Sequence, residues 1–238
     1  GGCELGLERA IPNSRTIWQV EQNTFCQGIL KKHWPDATIY DDVRTVGAHN
    51  LQPIDLLCAG FPCQDLSIAG NQRGIHEGKK SNLFWELHRI ISEIRPRIIC
   101  LENVANILRL GGSAVVGSLA QIGYNCEWTV VRSGSDFGLP HIRKRWFCVA
   151  YPAGFGQQRQ GKHKHSQYSK KNTNWETSGF VSAIQSNALP YVCRTHNGLS
   201  RRLARQMMKA LGNAIVPQAS EWVGRQIVQS GLIDDLIN

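Results

Sequence analysis

The chain has 238 residues, enough to bury a full hydrophobic core in one or two domains. Lys and Arg number 27 against 18 Asp and Glu, a formal net charge of +9, which favours a polyanionic partner. There is no run of about 18 apolar residues, so no membrane-spanning helix is expected, and the opening residues lack the basic and long apolar regions of a secretory signal.

The chain opens on Gly1-Gly2, followed by a helix-like stretch from Cys3 to Ala10. Residues 16–20 read as a strand ending in Glu21, and 22–33 as a helix. A short strand at 37–40 leads into Asp41-Asp42-Val43. The apolar run 54–59 predicts a buried strand that ends at Gly60, where the chain is free to turn sharply. Pro62 fixes φ and cannot extend a central strand, so Cys63 is presented just past a strand's carboxyl end. Open α/β sheets bind their ligands there. By itself Cys63 reads as a small buried hydrophobe, the usual fate of a cysteine.

A polar, glycine-containing loop follows at 67–74, then an amphipathic helix at 81–94 with Ser81 as its N-cap. Residues 97–104 form a second apolar strand that carries Glu102 to its carboxyl end. A thiol and a carboxylate at the ends of two parallel strands can face one substrate, which lifts both above their ordinary readings. The spacing then predicts a helix at 113–123, a strand at 127–132 and another at 146–151, the last preceded by Arg143-Lys144-Arg145. From 152 to 187 the chain turns rich in Gly, Gln, Lys, His, Ser and Asn, the texture of a linker or insertion. A helix-like segment at 200–211 leads to Gly212-Asn213-Ala214-Ile215-Val216-Pro217, where Pro217 suits the first turn of a terminal helix reaching about 228. The eight cysteines contain no Cys-x-x-Cys pair, and neither Cys193 with His196 nor His163 with His165 finds a second ligand pair. Reduced cysteines, a cytoplasmic location and no metal are expected.

With Gly-Phe-Pro-Cys-Gln at 60–64 and Glu-Asn-Val at 102–104 in this order, the chain resembles the cytosine-5 DNA methyltransferases. The resemblance spans nearly the whole chain. It implies an α/β fold, a doubly wound Rossmann-like methyltransferase sheet with a small inserted target-recognition region. The catalytic domain would comprise residues 1–151 and 194–238, with recognition at 152–193. Lys162, Lys164, Lys170, Lys171 and Arg159 of that insert can neutralise phosphates.

The resemblance also implies roles. Cys63, within the loop Pro62-Cys63-Gln64, is the nucleophile, and Glu102 acts at N3 of the base. Asn103 positions the Pro62 loop. Arg143 and Arg145 hold the target nucleotide and its phosphate; His141 stands where the family's Arg-x-Arg motif usually begins with Gln. For S-adenosylmethionine, Glu21 takes the ribose hydroxyls, Asp42 the adenine amino group (with Asp41 an alternative) and Val43 the ring. Gly60 and Leu83 match further cofactor positions, although core packing is an equal reading of Leu83. Asn213 and Ala214 approach the cofactor's carboxylate. Gly1 and Gly2 look like the end of a glycine loop, which implies an apolar strand ahead of them in a longer protein.

Cytosine C5 is a poor nucleophile until a thiolate adds at C6, and the base must leave the duplex for that attack. Double-stranded DNA is therefore the expected partner, with monomeric protein; a companion restriction endonuclease is left open. Two other readings stand beside this one: a cytosine-5 methyltransferase acting on transfer RNA, and a catalytically silent DNA-binding relative.

Overall fold

The computed structural model describes residues 1–62, 83–138, 143–154 and 214–237. In chain order these form α1 (Gly2–Ala10), β1 (Trp18–Val20), α2 (Thr24–His33), β2 (Thr38–Tyr40), a 3₁₀ turn (Val43–Thr45), β3 (Leu56–Gly60) and α3 (Leu83–Ile94). They continue with β4 (Ile98–Val104), α4 (Ile107–Leu110), α5 (Gly112–Gln121), β5 (Tyr124–Arg132), α6 (Ser133–Phe137) and β6 (Lys144–Pro152). The carboxyl-terminal elements are α7 (Pro217–Gln229) and α8 (Asp234–Ile237).

The main sheet has four strands in the order β3-β4-β6-β5. β3 and β4 are parallel, while β6 runs antiparallel to both β4 and β5. β1 and β2 form a separate parallel pair. Among the described residues, β1 and β3 are hydrogen-bonded on one side only, to β2 and β4 respectively.

Alternation along β4 divides its side chains between two cores, as the period of two requires. Ile99 and Leu101 face Phe84, Leu87, Ile91, Val115 and Leu119 of α3 and α5. Ile98 and Cys100 face Leu7, Ala219, Val223 and Ile227 of α1 and α7. Helices thus cover both faces, the doubly wound arrangement expected from the sequence. The strands of the main sheet begin or end within a few residues of their predicted bounds, with one larger difference. β5 starts at Tyr124 rather than 127, because Tyr124 is buried and its hydroxyl donates to the Pro96 carbonyl at 2.7 Å.

α1 and α7 join regions more than two hundred positions apart, and glycine permits their approach. A Cβ at Gly6 would overlap Ser220 and the Pro217 carbonyl, and one at Gly224 would lie 2.6 Å from the Ala10 Cβ. The Ser220 hydroxyl donates to the Gly2 carbonyl at 2.9 Å. Cys3 stands under this contact with Cys58 and Cys100, all three as free thiols. Cys126 and Cys148 are free thiols as well, and no disulfide forms among the described cysteines.

This packing yields a paired prediction. Gly6→Ala should destabilise the fold by about 1–3 kcal/mol, the usual range for overpacking a tight interior. Gly117→Ala, in α5 with nothing within 4 Å of its added Cβ, should instead stabilise by about 0.5–1 kcal/mol through helix propensity. Urea denaturation of both variants checks the contrast, and equal effects would contradict the proposed role of the α1–α7 contact.

Candidate active site

The site is built where β3, β4 and β6 meet. The parallel register sets Gly60 opposite Glu102. A Cβ at position 60 would stand 3.2 Å from the Glu102 Oε2, so glycine leaves room for the carboxylate against the strand exit. The next residue, Phe61, is buried and packs its ring on Phe84 with centroids 5.1 Å apart. Its carbonyl accepts a 2.8 Å hydrogen bond from the Asn103 Nδ2, while the Asn103 Oδ1 accepts from the Val104 N–H at 2.8 Å. Asn103 itself is 3% exposed, so a dry side-chain bond pins the strand exit and leads to exposed Pro62. Cys63 and Gln64 lie outside the described residues.

Glu102 points to the other face of β4. In the antiparallel register Val104 is opposite Arg145 and Glu102 opposite Phe147. Residues 102, 104, 145 and 147 therefore share a face, and Arg145 reaches Glu102 along the diagonal. Its Nε lies 2.6 Å from the Glu102 Oε1, with side chains 14% and 10% exposed. This is a buried ion pair rather than an aligned hydrogen bond, which leaves the Oε1 lone pairs without a hydrogen-bond donor. Burial raises the Glu102 pKa above the ordinary carboxyl value, and the charges of Arg145 and Arg143 oppose that rise without cancelling it. Arg143 is held below its ordinary value, chiefly by burial and then by Arg145. The two-residue spacing of the arginines explains why both act on one carboxylate, while Lys144 between them is exposed.

Arg143 does a second thing: its Nη2 donates to the Ala214 carbonyl. Ile215 follows, its carbonyl in the space a Cβ at Gly2 would occupy. The amino-terminal glycines, the 214–216 segment and the arginines thus form a continuous line of contacts. Asn213 lies outside the described residues.

The remaining expected positions are spread along β1, β2 and α3. Glu21 directly follows β1, and its Oε1 accepts from the Asn23 N–H at 2.8 Å; Oε2 has no partner among the described residues. Asp42 is taken up locally: its carboxylate receives the Arg44 amide and the forked Arg44 guanidinium, chiefly the latter lowering its pKa to about 2. That engagement leaves the neighbouring Asp41, exposed, as a carboxylate with no partner among the described residues. Val43 packs against the small cluster of Val46, Leu51 and Ile90. Leu83 is half-buried at the start of α3, whose core residues are Phe84, Leu87, Ile90 and Ile91.

Sequence reasoning passed over Arg89. Its guanidinium bonds Glu86 and Glu93 on its own helix at 2.9 Å each, and the carbonyls of Val43 and Val46 at 3.2 and 2.8 Å. Glu93 in turn accepts from the Ala48 N–H at 3.0 Å. This clasp holds the segment that carries Asp42 and Val43. Glu86-x-x-Arg89-x-x-x-Glu93 was legible as an i,i+3 and i,i+4 helix pattern.

Comparison with known proteins gives the family. The family model of the C-5 cytosine-specific DNA methylases matches residues 1–202. The chain belongs to that family. Over 135 residues this family member is 39% identical to the type II methyltransferase M.CviJI of Paramecium bursaria Chlorella virus IL3A, an overlap of 55% of this chain and 36% of that protein. It is 35% identical over 158 residues to M2.BsuMI of Bacillus subtilis (strain 168), covering 63% of this chain and 39% of the relative. The chain spans between 31% and 49% of the length of the curated relatives it matches. Among solved structures, the Dnmt2 methyltransferase of S. pombe superposes with a TM-score of 0.62 at 14% identity, over 99% of this chain and 96% of that one. That likeness is one of fold. A putative DNA modification methyltransferase encoded within an E. coli prophage gives a TM-score of 0.51 at 25% identity, over 64% of this chain and 44% of the other.

The Glu102 environment makes a pH prediction for this family member. A carboxyl with a raised folded pKa binds its proton more tightly in the native state, so stability falls as pH rises from the ordinary value of 4.5 through the folded one. Urea titrations across that window should show a decline that Glu102→Gln removes. Parallel pH profiles for the two proteins would show that burial of Glu102 does not govern its titration.

Proposed function

We propose that this chain transfers a methyl group from S-adenosylmethionine to C5 of a cytosine flipped out of duplex DNA. The observation that carries the reading is the buried Glu102 carboxyl, backed by Arg145 and set against the strand exit that leads into Cys63. Family membership supports cytosine C5 as the target and DNA as the substrate. The type II names of the relatives support a restriction–modification setting, in which a companion endonuclease and a monomeric methylase are natural expectations. Residues 152–193 remain our candidate for the recognition region.

The residues present fit the cofactor. The Glu21 Oε2 has no partner among the described residues and suits a ribose hydroxyl, Val43 offers an apolar surface for an adenine ring, and Gly2 sits against the segment containing Ala214. Asp42 is the exception, because Arg44 occupies it. When bound, S-adenosylmethionine supplies an electrophilic methyl group.

The protein's own contribution is to make C5 nucleophilic. The Cys63 thiolate forms a bond to C6 while the ring electrons shift towards C5 and charge grows at N3. Glu102, kept protonated to higher pH by burial, donates at N3 and neutralises that charge. Arg145 holds the carboxyl in place, and the Asn103 bond to the Phe61 carbonyl fixes the strand exit from which Cys63 follows. After C5 is methylated, loss of its proton restores the C5–C6 double bond, the sulfur leaves with the electron pair of the C6–S bond, and N3 returns its proton to Glu102.

A duplex carrying 5-fluorocytosine should trap a covalent protein–DNA complex, since fluorine cannot leave as a proton does. The trapped band should vanish in Cys63→Ala and persist in Cys58→Ala, which removes a half-buried thiol of the α1 cluster. Tritiated methyl incorporation should favour duplex DNA over transfer RNA and fall by about 10²–10⁴-fold in Glu102→Gln. Trapping that survives loss of Cys63 would overturn the nucleophile assignment. Preferential labelling of transfer RNA would overturn the substrate.

A further inference from the structure

We infer that Arg143 is a positioning residue for the cofactor side of the site, tying the 214–216 segment to the strand that carries Arg145, rather than a phosphate contact. The inference rests on the reading of the site as a methyl-transfer centre.

Arg143 is anchored before its side chain does anything. Its carbonyl accepts a 2.8 Å hydrogen bond from the Ser133 N–H at the start of α6. From that fixed backbone the period of two directs it to the same side as Arg145 and Glu102. There the guanidinium lies close enough to the Glu102–Arg145 pair to feel both charges, and its Nη2 donates to the Ala214 carbonyl. Ala214 to Val216 are extended residues that lead into α7.

The same segment is gripped from its other side. The Ile215 carbonyl fills the space beside Gly2, and the Gly2 carbonyl accepts from Ser220 within the first turn of α7. Arg143 and Gly2 thus clamp three residues between them, next to the glycines and the alanine expected at the cofactor's amino-acid end. A guanidinium spent on a backbone carbonyl beside a carboxylate site is a structural brace. A phosphate-binding arginine would offer both prongs of its fork to one anion, whereas here one Nη donates to the Ala214 carbonyl.

The two roles differ in what they predict. As a brace, Arg143→Met should weaken S-adenosylmethionine binding about tenfold by calorimetry, a coupling of ordinary size. It should also speed amide hydrogen exchange at Ile215, Val216 and the first turn of α1. Binding to a mixed-sequence duplex should keep the wild-type salt dependence. Arg143→Lys should restore part of the exchange protection, since it keeps a donor but loses the planar fork.

The inference is overturned if cofactor affinity and exchange are unchanged while duplex binding weakens and its salt slope falls by about one, the signature of a lost phosphate contact. Wild-type protein that binds no S-adenosylmethionine would defeat the underlying functional reading, whereas wild-type binding with an unaltered variant would defeat the Arg143 assignment alone.

Discussion

The buried pair between Glu102 and Arg145 is the interaction on which the site depends. It exists because β6 runs antiparallel to β4 in a register that sets Arg145 against Val104, one diagonal from the carboxylate. A slip of one residue would move every side chain of β6 to the opposite face. Trp146 would then leave the α3–α5 core, and both arginines would leave Glu102. Register and chemistry are therefore specified together. The core residues Trp146 and Phe147, each almost wholly buried on opposite faces, hold the register that the arginines use. Removing one partner of such a pair typically costs about 3–5 kcal/mol, because the other charge is left buried.

Glu102 is balanced between two influences of opposite sign. Burial favours the neutral acid, and two guanidinium groups favour the carboxylate. A group that must give a proton or a strong hydrogen bond to a ring nitrogen near neutral pH benefits from that balance. Asn103, one residue on, faces the other core and serves the backbone of the strand exit. Adjacent residues on one strand thus divide two tasks, holding the chain and handling charge, because alternation sends them to opposite sides of the sheet.

Much of this was legible in the sequence. The apolar runs ending at Gly60 and Glu102 announced two buried strands, and the family resemblance singled out Arg143 and Arg145, although the strand was expected to begin only after them. What could not be read was the local competition for each charged group. Arg44 lies two residues from Asp42 and captures it, so a carboxylate at the expected position is committed elsewhere. The hold of Arg143 on Ala214 spans 71 positions, a separation no local pattern reports. The start of β5 was missed because only its ends are buried: exposed Asn125, Glu127 and Trp128 on an edge strand blur the alternation. α6 is five residues long and polar, too short for any helical period to show.

The close fit of α7 against α1 has a consequence for how the chain is made. The face of the sheet bearing Ile98, Cys100 and Phe147 is sealed by Ala219, Val223 and Ile227, residues synthesised well after α3 and α5 of the opposite face. Until they emerge, the described helical cover of that apolar face is α1 and Phe137 of α6, whereas the opposite face already has α3 and α5 in place. The two sides of the domain therefore mature at different times during translation. A nascent chain stalled before residue 217 would carry one finished core and one open one, which makes it a natural client for chaperones that recognise exposed aliphatic strands.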